Sequence, residues 1–150
     1  METTPELFLD TSAVMAGIWS EEGGSRELLR LGSAGAVQVV ISERVTSELE
    51  RVLREKKPEL LGEMTLLLDR AEVDVCPDPD PEDLPTYLDD PAYPGDREIV
   101  GAAHEQDVDY FVTYDRTDLL ENDPLNDAYP IPIGTAGDAL EWLRGHWLQT

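Results

Sequence analysis

The chain has one cysteine, two histidines and only two lysines, Lys56 and Lys57. A lone Cys76 excludes an internal disulfide framework and any cysteine-rich zinc site. It precedes a proline and reads as an incidental loop residue. Neither His104 nor His146 pairs with a serine or cysteine in a recognisable pattern, so a nucleophilic triad has no support; both read as ordinary helix histidines. No run approaches the ~18 consecutive apolar residues of a membrane span. The segment Met1–Asp10 has no basic start and no long apolar stretch, so no signal peptide is expected and a reducing cytoplasm is the default location. Positive charge is scarcest of all: 11 basic residues face 33 acidic ones, for a net charge of −22. Such a body cannot hold nucleic acid by a general basic surface. Any nucleic-acid chemistry has to work through bound cations or a local arginine patch. The acid surplus also suits a salt-adapted organism, where solubility sets the charge.

What is present is a domain's worth of chain. At 150 residues and 41% hydrophobic content it can bury a real core as a single domain over 1–150, which excludes disorder as a description of the whole. The charge is unevenly placed. Residues 1–57 carry 7 basic and 10 acidic side chains, residues 58–150 carry 4 and 23. The stretch Glu72 to Asp90 holds eight acids, no base and four prolines, and reads as a long solvated loop with a short helix near Leu84–Leu88.

Short apolar runs alternate with helical patterns. Leu7–Leu9, Val37–Ile41, Val73–Val75, Tyr110–Thr113 and Ile131–Ile133 read as strands, the last an edge strand because of Pro132. Helical spacing covers about 12–19, 24–33, 43–56, 59–70, 96–106 and 136–147, with a capping box at Thr135 and Asp138 for the last. This alternation predicts a three-layer α/β/α fold with a central, mostly parallel sheet of about five strands. Trp142 and Trp147 read as core or dimer packing, and Trp19 similarly. Arg26 and Arg30 share a helix face and read as solvated, with RNA binding as the alternative.

In an open parallel sheet, sites form beyond the carboxyl ends of the strands. Asp10 ends the first strand and Asp115 lies just past the fourth. Glu48 flanks the apolar stripe Val45, Leu49, Val52 and Leu53 of its helix. Asp96 heads the stripe Ile99, Val100 and Ala103. The four carboxylates are therefore expected to converge. Like charges at 4 Å repel by roughly 4 kcal/mol per pair at an effective dielectric near 20, so the cluster must protonate in part or bind cations. Oxygen-only ligands favour Mg²⁺ or Mn²⁺. Each acid also has a plain structural reading: Asp10 and Asp115 as helix or turn caps, Asp96 as a partner of the helix dipole, Glu48 as a surface residue near Arg44, Arg51 or Arg54.

The segments that carry these acids resemble a known family. Leu7-Phe8-Leu9-Asp10-Thr11-Ser12-Ala13, Ser42 to Leu49, Asp96 to Ala103, and Asp109-Tyr110-Phe111-Val112-Thr113-Tyr114-Asp115 through Leu119 are similar, in order, to the four motifs of the PIN domain. Ile131 to Trp142 is similar to its final strand and helix. The resemblance implies a metal-dependent ribonuclease that hydrolyses RNA phosphodiesters. Asp10, Glu48, Asp96 and Asp115 would hold one or two Mg²⁺ or Mn²⁺ ions, with Asp118 a supplement to Asp115, and a metal-activated water would be the nucleophile. Thr11, Ser12 and Thr113 would position water or phosphate. Many relatives have Asn where this chain has Ser12, whose hydroxyl serves the same orienting purpose. Small VapC-like members of the family are toxins paired with an antitoxin protein, and others process RNA; a homodimer and a silent protein-binding version of the fold are further expectations. A phosphoryl-accepting receiver would need paired acids after the first strand, where Asp10-Thr11 stand. A phosphatase of the Asp-x-Asp type would need an acid at position 12, which is Ser12.

Overall fold

The computed structural model describes residues 3–89 and 97–149. The first apolar run becomes β1 (Glu6–Leu9), in which Leu7, Phe8 and Leu9 are all fully buried. A strand covered on both faces needs apolar side chains on both, which is why this run does not alternate. β1 lies at the centre of a sheet with β2 (Gln38–Ser42), β3 (Asp74–Cys76), β4 (Tyr110–Val112) and β5 (Ile133–Gly134). The spatial order is β3-β2-β1-β4-β5 and every pairing is parallel. Phe8 pairs in register with Phe111, and their rings stack with centroids 5.3 Å apart. β5 is an edge strand as expected, and the Pro132 carbonyl just before it accepts the Phe111 N–H at 2.9 Å.

The helices are α1 (Thr11–Trp19), α2 (Gly24–Ser33), α3 (Glu43–Lys56), α4 (Leu61–Arg70), α5 (Arg97–Gln106), α6 (Asp123–Ala128) and α7 (Ala136–Leu148). They flank the sheet to give three α/β/α layers. Local chemistry sets their starts. Ser42 caps α3 by accepting the Val45 N–H, and Thr135 with Asp138 forms the expected capping box of α7. A π-type turn at Arg116–Leu120 and α6 fall where no helix was expected, because six residues are too few to show a period. Asn122 caps α6 by accepting the Leu125 N–H. Among the described residues no helix is long and apolar enough to cross a membrane.

In the acidic stretch after Glu72 the strand read at Val73–Val75 is present as β3, and the short helix read near Leu84–Leu88 is a 3-10 turn, Thr86–Asp89. A second such turn, Pro81–Asp83, and the full burial of Leu88 were not expected, and Leu84 packs so closely on Gly101 that a Cβ there would collide with it. Three sequence readings need correction. Cys76 ends a strand rather than sitting in a loop, and burial pushes its thiol up to about 11. Trp142 does pack, against Tyr110 and His146, but Trp19 and Trp147 are 46% and 42% exposed and so are not core residues, which overturns that half of the core-or-dimer reading; Lys57 lies over the Trp19 ring at 5.6 Å. Arg26 is not solvated. It is 9% exposed, and its Nε donates to the Gly17 carbonyl at 2.7 Å and an Nη to that of Ile18 at 3.4 Å. A guanidinium there satisfies the orphan carbonyls at the end of α1.

The strand order positions the site. From β1 the chain builds outward on one side through β2 and β3, then returns to the other side of β1 with β4 and β5. The connections leaving the carboxyl ends of β1 and β4 therefore diverge and leave a crevice between them.

Candidate functional site

Asp10 stands at this switch point. Its N–H extends the ladder to the Val112 carbonyl at 3.1 Å, and its side chain accepts the Ala13 N–H at 3.0 Å, so it also caps α1. Capping and site membership are thus compatible readings. The carboxylate is 7% exposed. Ser12 Oγ donates to Oδ1 at 2.7 Å and Thr113 Oγ1 donates to Oδ2 at 2.5 Å. Each hydroxyl in turn accepts a backbone N–H, from Tyr114 at 2.9 Å and from Asp115 at 3.0 Å. A backbone N–H can only donate, so both hydroxyls are turned with their hydrogens toward Asp10. Burial pushes the Asp10 pKa above the ordinary aspartate range. Hydrogen bonds from Thr113, Ser12 and Ala13 draw it back in part, and the charge of Asp115 adds to the rise.

Glu48 comes from α3. Thr11 Oγ1 donates to its Oε2 at 2.6 Å, and Arg44 Nε lies 3.5 Å from Oε1. Arg44 is in the first turn of α3, where a cation opposes the helix dipole. Two carboxylates on its guanidinium explain its place: Glu98 of α5 accepts from its Nη1 at 2.8 Å and Glu48 lies one turn on in α3 itself, while its backbone N–H donates to Asp78 at 2.9 Å. Asp115 caps the Arg116–Leu120 turn by accepting the Asp118 N–H at 3.1 Å.

Asp10, Thr11, Ser12, Glu48 and Asp115, with Met15, Val52 and Ile99, line one cleft of about 310 Å³. Three of the four expected carboxylates therefore face one space. Asp96 lies outside the described residues. Asp118 is exposed and outside the cleft lining. Thr113 is fully buried behind Asp10. The hydroxyl hydrogens of Thr11, Ser12 and Thr113 are all directed at carboxylates. Sequence reasoning did not single out Met15, Val52 and Ile99 as cleft residues. They look like ordinary core positions, and only their place beside the switch point exposes them to the cleft. Nor did it single out Glu98, which binds Arg44. The histidines are elsewhere: Nδ1 of His104 is 3.2 Å from the Tyr87 hydroxyl, and His146 stacks on Trp142.

The family model of the PIN domain matches residues 6–117. The chain belongs to the PIN domain family. No curated protein matches the sequence. The PIN domain is a nuclease-type fold, and the match runs from the start of β1 into the turn after β4, so it contains Asp10, Glu48, Asp96 and Asp115. PIN domains typically use divalent metal ions. Among the described residues of this one, no three acidic, histidine or cysteine side chains stand close enough together to hold an ion by themselves. The donor chemistry of the cleft nonetheless fits a hard divalent cation, since its ionisable lining groups are carboxylates and the most buried of them, Asp10, has only neutral donors around it.

Proposed function

We propose that this PIN domain is a divalent-metal-dependent endoribonuclease that hydrolyses RNA phosphodiester bonds. The observation that carries the reading is Asp10: a buried carboxylate at the switch point, facing a cleft shared with Glu48 and Asp115 and given no cationic partner by the fold. Asp10, Glu48, Asp96 and Asp115 would hold Mg²⁺ or Mn²⁺, with Asp118 in reserve. An ion held there would withdraw charge from a phosphate oxygen and make an attacking water more acidic.

The rest is work for the chain. Ser12 and the Ala13 N–H occupy Oδ1 of Asp10 and Thr113 takes one site on Oδ2, which leaves Oδ2 with a lone pair for an ion. Thr11 donates to one oxygen of Glu48 and Arg44 forms an ion pair with the other. Met15, Val52 and Ile99 provide an apolar wall that raises the strength of every charge interaction beside it. A phosphodiester approaching a chain of charge −22 meets general repulsion, so its attraction must be local.

Cleavage of a generic RNA by the purified protein with Mn²⁺ or Mg²⁺, abolished by EDTA and by Asp10→Asn, is the expected result. Equal cleavage by the parent and by Asp10→Asn ends the assignment. The narrower role, a toxin with a cognate antitoxin and a homodimeric assembly, rests on the small size of the chain, which the toxins of the family share. Growth arrest on expression, lifted by Asp10→Asn, tests it; unimpaired growth points instead to an RNA-processing enzyme.

A further inference from the structure

The arginines of α2 take no part in the cleft. Arg26, Arg30 and Ser33 lie along one face of α2 with Leu29, and together with Leu67 and Arg70 of α4 they border a second cavity of about 180 Å³. Three of the nine arginines in the chain thus face one space, and no carboxylate lines it. Arg26 is fixed by the carbonyls of Gly17 and Ile18. Arg30 is steadied by the Glu21 carbonyl at 2.6 Å and by Glu27 at 3.1 Å. Glu63 comes to 4.0 Å from Arg26 at the rim. Arg70 has no hydrogen-bond or ion-pair partner among the described residues. A basic residue in a last helical turn complements the dipole, which accounts for Arg30 and Arg70 one at a time. Arg26, in the first turn of α2, is held there by the carbonyls at the end of α1, and Glu63 and Glu27 offset part of the charge of Arg26 and Arg30 from outside the lining. Arg70 has no such partner among the described residues, and the lining itself carries three guanidinium groups and no carboxylate, so an anion entering the cavity meets attraction from several sides.

We propose that this cavity binds a phosphate group. Guanidinium forks and a hydroxyl supply many donors to a tetrahedral oxyanion, and no acceptor-only group competes from the lining. Arg26 arrives preorganised, because its other N–H groups are already held by α1. The site is separate from the cleft: Arg26 grips the end of α1 opposite Asp10, about 12 Å away along the helix. It does not depend on the nuclease reading. The phosphate belongs either to a free anion or to the backbone of an RNA strand.

The test uses the metal-free full chain. Sodium phosphate is titrated calorimetrically against sodium chloride of equal ionic strength, with Arg70→Gln as the main variant, Ser33→Ala as a second, and Arg51→Gln on α3 as the control. Saturable phosphate binding that Arg70→Gln weakens about tenfold and Arg51→Gln leaves alone is the expected result. In a second arm, a short RNA oligonucleotide that displaces the phosphate assigns the site to a strand, and failure to displace it assigns the site to the free anion. Identical responses to phosphate and chloride, an unchanged affinity in Arg70→Gln, or binding of a polyglutamate peptide with no response to phosphate overturns the proposal.

Discussion

The two cavities are opposites. The cleft at the β1 and β4 carboxyl ends gathers carboxylates and no lining cation, while the pocket between α2 and α4 gathers guanidinium groups and no lining carboxylate. In a chain with three acids for every base, charges scattered by chance would put acids around both. The arginine pocket is therefore the less expected of the two. Their support differs as well. Asp10 is held by neutral donors that leave its charge uncompensated, so the cleft favours a cation from solution. Arg26 is held mainly by carbonyls, with Glu63 4.0 Å away at the rim, and Arg70 has no carboxylate partner among the described residues, so the pocket favours an anion. Local placement of charge, rather than net charge, makes each a place where an ion of opposite sign lowers the energy.

The largest break in this comparison is at Asp10. Asp10→Asn should cut RNA cleavage by more than about 10²-fold, since even an outer partner of a metal ligand is worth that much. Thermal unfolding without metal should show the variant within about 1 kcal/mol of the parent. Asn still caps α1 and the cost of burying a charge is gone, while the hydrogen bond donated by Thr113 is lost. Glu48→Gln and Asp115→Asn should lose about 10- to 100-fold in cleavage with unchanged circular dichroism. Mn²⁺ at 100 times its dissociation constant should raise the stability of the parent by about 2.7 kcal/mol and leave Asp10→Asn unmoved in a denaturant titration.

On the other side of the molecule, Arg26→Gln should cost about 2–3 kcal/mol, because it strips two carbonyls of a charged donor. Arg70→Gln should fall within about 0.5 kcal/mol of the parent. Equal losses at the two would mean that the pocket is not built as described. The smallest effect is in pH. Burial, then the charges of Asp109, Asp74 and Asp107, raise Glu6 above its ordinary 4.5. A raised acid favours the folded state when protonated. That stabilisation is complete below 4.5 and is lost as pH rises through the folded value. Asp10, also raised by burial, acts with the same sign, so melting temperature should climb as the metal-free protein is taken from pH 7 toward 5, with Glu6→Gln removing part of the climb and Glu6→Gln together with Asp10→Asn removing more.

Much of this could be read along the chain. The β-branched and apolar runs locate all five strands; the three central ones stand out because a strand buried on both faces must be apolar throughout, while the edge strands β3 and β5 left shorter signals. Asp10 could be chosen because it directly follows such a run, and Asp115 because it lies just past one. Glu48 was harder, and its helical phase beside Leu49 and Val52 was the clue. The turn at Arg116–Leu120 and helix α6 were invisible, being shorter than the period needed to see them. The burial of Leu84 and Leu88 was hidden by the acids and prolines around them, which describe the solvent side of the segment and not its contacts. Arg26 was misread for a similar reason. A guanidinium at a helix i, i+4 spacing looks solvated until the end of another helix is placed against it.

The sequence by itself determined the elements, their alternation and which acids end them, since propensity, periodicity and capping act over a few neighbouring residues. Only the tertiary structure decided that the strand order reverses beside β1, so that residues 10, 48 and 115 face one crevice while Arg26, Arg30 and Arg70 face another. Those meetings depend on which strands pair and which helices pack, and that is settled by burying the whole core at once rather than by any local stretch of chain.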